Sequence, residues 1–355
     1  MSLVRSAVVA ALVTDAAHAA GGCVETLHPV SVHELPPEAA LARSVTWLRD
    51  GVLAIAADSG IHEYAVADRS LKLLVGPRTV PDGLPHAWEV ATDGRTLVAF
   101  NLDYSELAFD LAGGRIVHAR RFPAMQILDV AVRGDTMVVL GYPLILDREK
   151  NGALWSGKIG ASWESFRLLH KVDDQDADKL RSCFPPFGGA VIIQRDGTIA
   201  MITAAEPGVR RFRPDGTPLS TLGQGLADLV PANVAAVRKS YFGDLTGRYL
   251  EVLNRQPMAD DLVETPAGLA IVVRRAGEGK VWWELWFPGD GGGLRRSIQL
   301  AASDERTIGG HLRCEARGSQ LACMFGKDTG PDTADKPYLM LFDFNRIARK
   351  GKCRT

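Results

Sequence analysis

The chain has 355 residues, 46% apolar and 23% charged, the balance of a globular protein with a sizeable core. Its 41 Lys and Arg nearly cancel 42 Asp and Glu, for a formal charge of −1, so no global field favours nucleic acid or an anionic membrane. No stretch approaches the roughly 18 consecutive apolar residues of a membrane-spanning helix, so no transmembrane span is expected.

The N-terminus reads as a targeting segment. Arg5 supplies a positive start, Ser6 to Val13 (SAVVAALV) is a short apolar run, and Ala17-His18-Ala19 has the small-x-small pattern of a signal-peptidase site. Residues 1–19 are therefore expected to be a signal peptide, with a short amphipathic N-terminal helix as the alternative. Ala20-Gly21-Gly22-Cys23 resembles a bacterial lipobox, although Ala20 stands where Leu is usual. On that reading cleavage falls after residue 22 and Cys23 carries a lipid anchor. The expected compartment is the bacterial periplasm or the extracellular space.

Short apolar runs then recur in groups of four, separated by turn residues. The first group is VTWL from Val45, VLAIA from Val52, IHEYA from Ile61 and LKLL from Leu71. Asp50-Gly51, Asp58-Ser59-Gly60 and Asp68-Arg69-Ser70 are the turns between them. The second run is apolar throughout, as when both faces are buried, while the third and fourth alternate. The cadence repeats at about 88–121, 127–171, 190–222 and 262–300. A last group at 310–345 shows only three runs. First-strand starts recur about every 40 to 48 residues where nothing is inserted, the period of a propeller blade.

The missing twenty-fourth strand is supplied by residues 24–35 (VETLHPVSVHEL), which alternate like a strand and precede the first blade. Placed outermost in the last blade, they join chain start to chain end and leave no open ring edge. The expected fold is all-β, a six-bladed β-propeller spanning 24–345, with a first blade at 44–76 and a basic, solvated tail at 346–355.

Asp196-Gly197-Thr198-Ile199-Ala200, Val209-Arg210-Arg211-Phe212-Arg213-Pro214-Asp215-Gly216 and Leu222-Gly223 together resemble a blade of the NHL and TolB-like six-bladed propellers. The Gly-His and Trp-Asp signatures of WD40 blades are absent. Those families include scaffolds, ligand binders, lactonases and lyases, so the resemblance implies fold more than activity.

Insertions concentrate on the links expected around the mouth of the central channel. The longest, 223–261, is expected to be partly helical: Pro231 suits a helix start, and Val234, Val237 and Tyr241 share a stripe. It reads equally as a lid over the mouth or as a cap on blade surface. Channel-mouth ligand contacts are expected from His86, Trp88, Asn101, Asp103, Asp147, Glu206, Asp260 and Asp328. Most acids in such links are solvated turn residues.

Of five cysteines, Cys314 and Cys323 face each other if Gly318-Ser319 centre a two-residue turn. A cross-strand disulfide or two buried thiols both fit. Cys23 and Cys353 are a second candidate pair that would staple the ring, in competition with lipidation of Cys23. Trp282 and Trp286 are expected on one face of a strand and Trp283 on the other, packing between blades.

No nucleophile elbow, phosphate loop, dinucleotide fingerprint or calcium loop is present. The expected function is a non-enzymatic scaffold that binds a protein or small-molecule ligand, with no cofactor. The alternative is a Ca- or Zn-dependent hydrolase or lactonase with a carboxylate-lined channel.

Overall fold

The computed structural model describes residues 24–76, 87–101, 105–121, 125–143, 152–172, 189–203, 206–226, 257–277, 280–290, 292–304, 311–326 and 337–350. They form six sheets around one axis. Two strands, β1 (Val24–Leu27) and β2 (Pro29–Glu34), precede the first blade. Blade 1 is β3 (Ser44–Arg49), β4 (Val52–Ala57), β5 (Gly60–Ala65) and β6 (Ser70–Val75). Blade 2 is β7 (Ala87–Thr92), β8 (Thr96–Asn101), β9 (Ser105–Asp110) and β10 (Arg115–Arg121). Blade 3 is β11 (Met125–Arg133), β12 (Thr136–Pro143), β13 (Gly152–Lys158) and β14 (Arg167–Lys171).

Blade 4 has three strands, β15 (Gly189–Ile193), β16 (Ile199–Thr203) and β17 (Arg210–Phe212). Its expected fourth strand is reduced to two isolated bridges, Val209 with Leu222 and Phe212 with Pro218. The proline has no N–H to extend a ladder. Blade 5 is β18 (Met258–Thr265), β19 (Gly268–Gly277), β20 (Lys280–Pro288) and β21 (Leu294–Asp304). Blade 6 is β22 (His311–Arg317), β23 (Gln320–Gly326) and β24 (Tyr338–Asp343), and β25 (Ala348–Lys350) follows it.

Each sheet buries both faces against its neighbours. The second strands β4 and β8 are buried in all but their first residue, and β16 throughout. Apolar clusters fill all six blade interfaces. The decisive one joins Trp47, Leu53, Ile55 and Tyr64 of blade 1 to Ala322, Met324, Leu339 and Leu341 of blade 6, which shows the ring closed.

Closure is as expected in one half and different in the other. β2 runs antiparallel to β24, with Val32 opposite Met340, as the fourth strand of blade 6. β1 instead leaves that blade at His28-Pro29. It lies parallel to β21 of blade 5 (Thr26 opposite Gln299) and antiparallel to β25 (Glu25 opposite Arg349). One terminal segment therefore ties two blades. The tail expected to be solvated starts as an edge strand, because β1 offers it an unpaired edge.

Cys314 and Cys323 are register partners and form a disulfide inside the core between blades 5 and 6. The turn between them holds Gly318 at φ +59°, a left-handed conformation that glycine adopts freely. Trp283 packs toward blade 6 and Trp286 toward blade 4, the alternation expected of that strand. Among the described residues helical structure is confined to the 3-10 turns at Pro37–Ala39, Trp163–Ser165 and Phe344–Arg346. No described helix is long and apolar enough to cross a membrane. Residues 1–19, expected to be a signal peptide, lie outside the described residues, as do Cys23, Cys353 and the central part of the 223–261 insertion.

Candidate functional site: a charged ring across the channel

Each innermost strand begins at an inter-blade link, so the first residues of β7, β18 and β22 lie at the mouth end of the channel. At that level the inner strands place one residue each on a common ring. Its members are identified by the bonds they make to the next blade. Ser44 Oγ accepts from Val90 N at 3.3 Å. Asp129 Oδ2 accepts from Val191 N at 2.7 Å, and Asp261 Oδ2 from Cys314 N at 2.7 Å. In each carboxylate the second oxygen accepts from the next residue's own N–H, Val130 at 2.8 Å and Leu262 at 2.7 Å. The equivalent positions in blades 2, 4 and 6 are Glu89, Ala190 and Arg313, each directly preceding the amide that matches Val90, Val191 or Cys314.

Strand register makes this possible. Pairing slips by one residue between Ala87 and Glu89, between Ile127 and Asp129, and between Ala259 and Asp261. Each slip is a bulge, which turns the following side chain and leaves the bulged residue's carbonyl out of the ladder.

Arg313 spans this ring. Its Nη1 donates to the Asp260 carbonyl at 2.9 Å and approaches the Gly189 carbonyl at 3.5 Å. Its Nη2 donates to the Leu128 carbonyl at 3.0 Å and reaches Glu89 Oε1 at 3.4 Å. Those three carbonyls occupy the same position, one before the ring residue, in blades 5, 4 and 3. One side chain of blade 6 thereby touches blades 2, 3, 4 and 5. The Arg313 side chain is 14% exposed and Glu89 only 3%. Asp261 Oδ1 lies 4.0 Å from Nη1.

The electrostatics follow from burial. Glu89 and Asp261 are pushed up to about 8, because desolvation outweighs the pull of Arg313. Asp129 shifts upward for the same reason. Arg313 moves above its usual range, since the surrounding acids outweigh its own desolvation. Near neutral pH the ring therefore retains carboxyl protons around one fixed guanidinium. Farther along the same strand Glu315 Oε2 accepts from Trp47 N at 2.7 Å, and Trp47 Nε1 donates to the Glu315 carbonyl at 3.1 Å. That pair clasps blade 6 to blade 1. Burial pushes Glu315 up to about 7.

Of the residues expected at the mouth, Asp260 and Trp88 adjoin this ring. Asp260 sits inside β18 rather than in a link, and it is buried rather than solvated. Its Oδ2 accepts from Trp283 Nε1 at 2.7 Å and Leu312 N at 3.1 Å, which stitches blade 5 to blade 6. Trp88, the bulged residue before Glu89, is half-buried with the Arg43 guanidinium 4.1 Å over its ring. Asn101 is buried at the mouth end of β8. Glu206 stands apart in a separate ion cluster, 2.6 Å from His170 Nε2 and 3.0 Å from Arg210 Nη2. Glu106 makes the analogous set in blade 2, with His118 and Arg120. His86, Asp103, Asp147 and Asp328 lie outside the described residues.

Glu89, Asp129, Arg313 and Glu315 were not expected, whereas Asp261 is the neighbour of Asp260 in the acidic pair of that link. Their signal is charge inside the largely apolar innermost strands of blades 2, 3, 5 and 6, visible only when those strands are aligned by blade. Among the described residues no group of three His, Cys, Asp or Glu is arranged to hold a metal ion. The acids that do converge meet on Arg313. Ser59 Oγ lies 2.7 Å from His62 Nε2 at the mouth side of blade 1, the spacing of a nucleophile and base. The Ser59 proton goes to the Glu38 carbonyl, however, so His62 Nε2 must be the donor, and the pair is a structural knot.

No family model and no curated protein sequence matches the chain. Solved structures do. The Myceliophteria thermophila Cps50 (Swd1) β-propeller domain is 12% identical, with a TM-score of 0.49 over 90% of this chain and 99% of that one. The WD40 β-propeller domain of Doa1 is 11% identical, with a TM-score of 0.48 over 90% and 97%. The extracellular domain of BT4673 from B. thetaiotaomicron is 14% identical, with a TM-score of 0.45. It matches 92% of this chain, which spans 35% of that one. The six-bladed assignment rests on this chain's own sheets.

Proposed function

We propose that this propeller is an exported, non-enzymatic scaffold of the NHL/TolB-like kind that binds a protein or small-molecule ligand at its mouth face. The carrying observation is Arg313. A guanidinium bonded to the backbones of three blades makes the mouth end of the channel a rigid, polar floor rather than a reaction chamber. A rim feature, the Arg43–Trp88 stack, stands beside it as an amphipathic contact. The metal-dependent hydrolase reading requires a cation close to where Arg313 already sits, and like charge opposes that. Export is supported by the Cys314–Cys323 disulfide, which persists in oxidising compartments.

The test is divalent metal content of the mature protein by elemental mass spectrometry, before and after EDTA, with the melting temperature followed in parallel. No bound metal, and no shift with added calcium or zinc, is expected. A stoichiometric ion whose removal lowers the melting temperature overturns the scaffold reading. Intact mass of the secreted chain tests export, with cleavage after Ala19 the expected result.

A further inference from the structure

The face opposite the mouth carries a second concavity that the scaffold reading does not use. It is a cleft of about 240 Å³ between the feet of blades 4 and 5. Its walls come from the turn joining β18 to β19 and the turn joining β20 to β21, with the end of β15 and strand β17 opposite. The charged side chains on it are Arg211, Arg295 and Asp290, with the Gln194 amide beside them and Leu269 and Pro288 as an apolar wall.

The two arginines are posed but not consumed. Arg211 Nε donates to the Ser220 carbonyl at 3.1 Å and its Nη2 to Ser220 Oγ at 2.7 Å. That fixes the guanidinium plane and leaves both Nη1 hydrogens. Arg295 Nη2 donates to the Ala267 carbonyl at 3.0 Å, leaving Nε and Nη1. Among the described residues neither guanidinium is in an ion pair, although this chain pairs many others. Gly268, at φ +114°, forms the turn, and a Cβ there would stand 3.5 Å from Arg295 Nη2. The opposite lip is also held: Gly223 N donates to the Gly289 carbonyl at 3.2 Å and Gly225 N to the Gly292 carbonyl at 2.7 Å. The cleft is thus preformed, which lowers the ordering cost of binding.

We infer that this cleft binds a small hydroxylated organic acid, the carboxylate held by Arg211 and Arg295. Two forks with unspent donors match a carboxylate's two oxygens. Asp290 and Gln194 supply the acceptors and donors that hydroxyl groups need, and the apolar wall takes the carbon face. The volume lies below the roughly 300 Å³ at which drug-sized pockets begin, so the ligand is of single-sugar size.

Titration calorimetry of the mature protein with D-glucuronate tests this, with D-glucose and inorganic phosphate as comparison probes. Saturable glucuronate binding is expected, with glucose silent and phosphate weaker. Arg211→Gln and Arg295→Gln should each weaken glucuronate roughly tenfold, the loss of one charge-assisted contact. Val117→Ser, on the exposed outermost strand of blade 2, should leave it unchanged. Both arginines are solvent-facing at one end, so an unchanged melting temperature in the variants confirms folding. Absence of saturable glucuronate binding, equal binding of glucose or phosphate, or full binding in the double variant each overturns the assignment.

Discussion

Arg313 Nη1 lies 2.9 Å from the carbonyl of Asp260, and the Asp260 carboxylate in turn accepts from the amide of Leu312, the residue before Arg313. Arg313 holds the main chain of Asp260, and Asp260 holds the main chain one residue before Arg313, so blades 5 and 6 are locked at the point where the guanidinium enters the channel. Arg313 is then the only ring member whose side chain crosses to the far blades. Arg313→Met removes the charge that faces Glu89, Asp129 and Asp261 and leaves the carbonyls of Leu128, Gly189 and Asp260 without their donor. Losing one partner of a buried ionic cluster costs about 3 to 5 kcal/mol. Urea unfolding should show that loss, and Arg313→Lys should recover only a minor part, because an ammonium lacks the planar fork. A loss below about 1 kcal/mol would mean the ring does not hold the blades.

The pH dependence of stability follows from the same ring. Glu89 titrates in the folded protein at about 8 against a usual 4.5, and Asp261 at about 8 against 3.8. Between those values the folded state holds protons that the unfolded chain has released. The stability these groups contribute is fully present below pH 4, falls as pH rises, and is lost above about 8. Glu25 and Glu206 act in the opposite sense. Both are lowered despite burial, by Arg296 and Arg349 for Glu25 and by His170 and Arg210 for Glu206, so their contribution disappears on acidification. Chemical unfolding should therefore be hardest near pH 5 and easier at pH 8. In Glu89→Gln the decline should be shallower by about 1.4 kcal/mol per pH unit, one proton's worth. An identical slope in variant and parent would show that Glu89 does not carry the proton.

Much of this architecture is readable in the sequence because a blade repeats local rules. Runs such as Val52–Ala56 are apolar on both faces, and turns such as Asp50-Gly51 punctuate them. The deficit of one strand in the last blade correctly sent residues 29–34 to β24. The departure of residues 24–27 to blade 5 was not readable, since their alternation fits any edge and only the three-dimensional position of β25 selects one. The charged ring was hidden for a different reason. Glu89, Asp129 and Arg313 each occupy a polar position in an alternating strand, which by itself means solvent. They become a cluster only because six inner strands converge on one axis.

The disulfide offers a stability test independent of the ring. Cys314 and Cys323 are separated by nine positions in a hairpin already bonded along its length. The loop-entropy account gives at most about 2.5 kcal/mol for so short a closure. Cys314→Ala with Cys323→Ala should lower stability by up to that amount while the fold persists, because two buried methyl groups still fill the core between blades 5 and 6. Thiol counting on the unfolded, unreduced parent should find two of the five cysteines unreactive through this bond. Reactive thiols at both positions would contradict the pairing and weaken the case for export.

The final tie is the sharing of Glu25 between blade 5 and the C-terminal strand β25. Its Oε1 accepts from Arg349 Nε at 2.9 Å, and its Oε2 from Arg296 of β21. The Glu25 side chain is 11% exposed, so these pairs are better shielded than ordinary surface bridges, although Arg349 itself is 53% exposed. Truncation after Ile347 removes β25 and Arg349 together and strips one edge of β1. Amides in β1 should then exchange faster by hydrogen-exchange mass spectrometry. Those in β2 should not, because β2 is held by β24 through a separate ladder. Glu25→Ala, which spares the strand, should act in the same direction but more weakly, by about 1 kcal/mol. Equal acceleration in β1 and β2 would mean that the two halves of the N-terminal segment open as one unit and that its division between blades has no separate mechanical role.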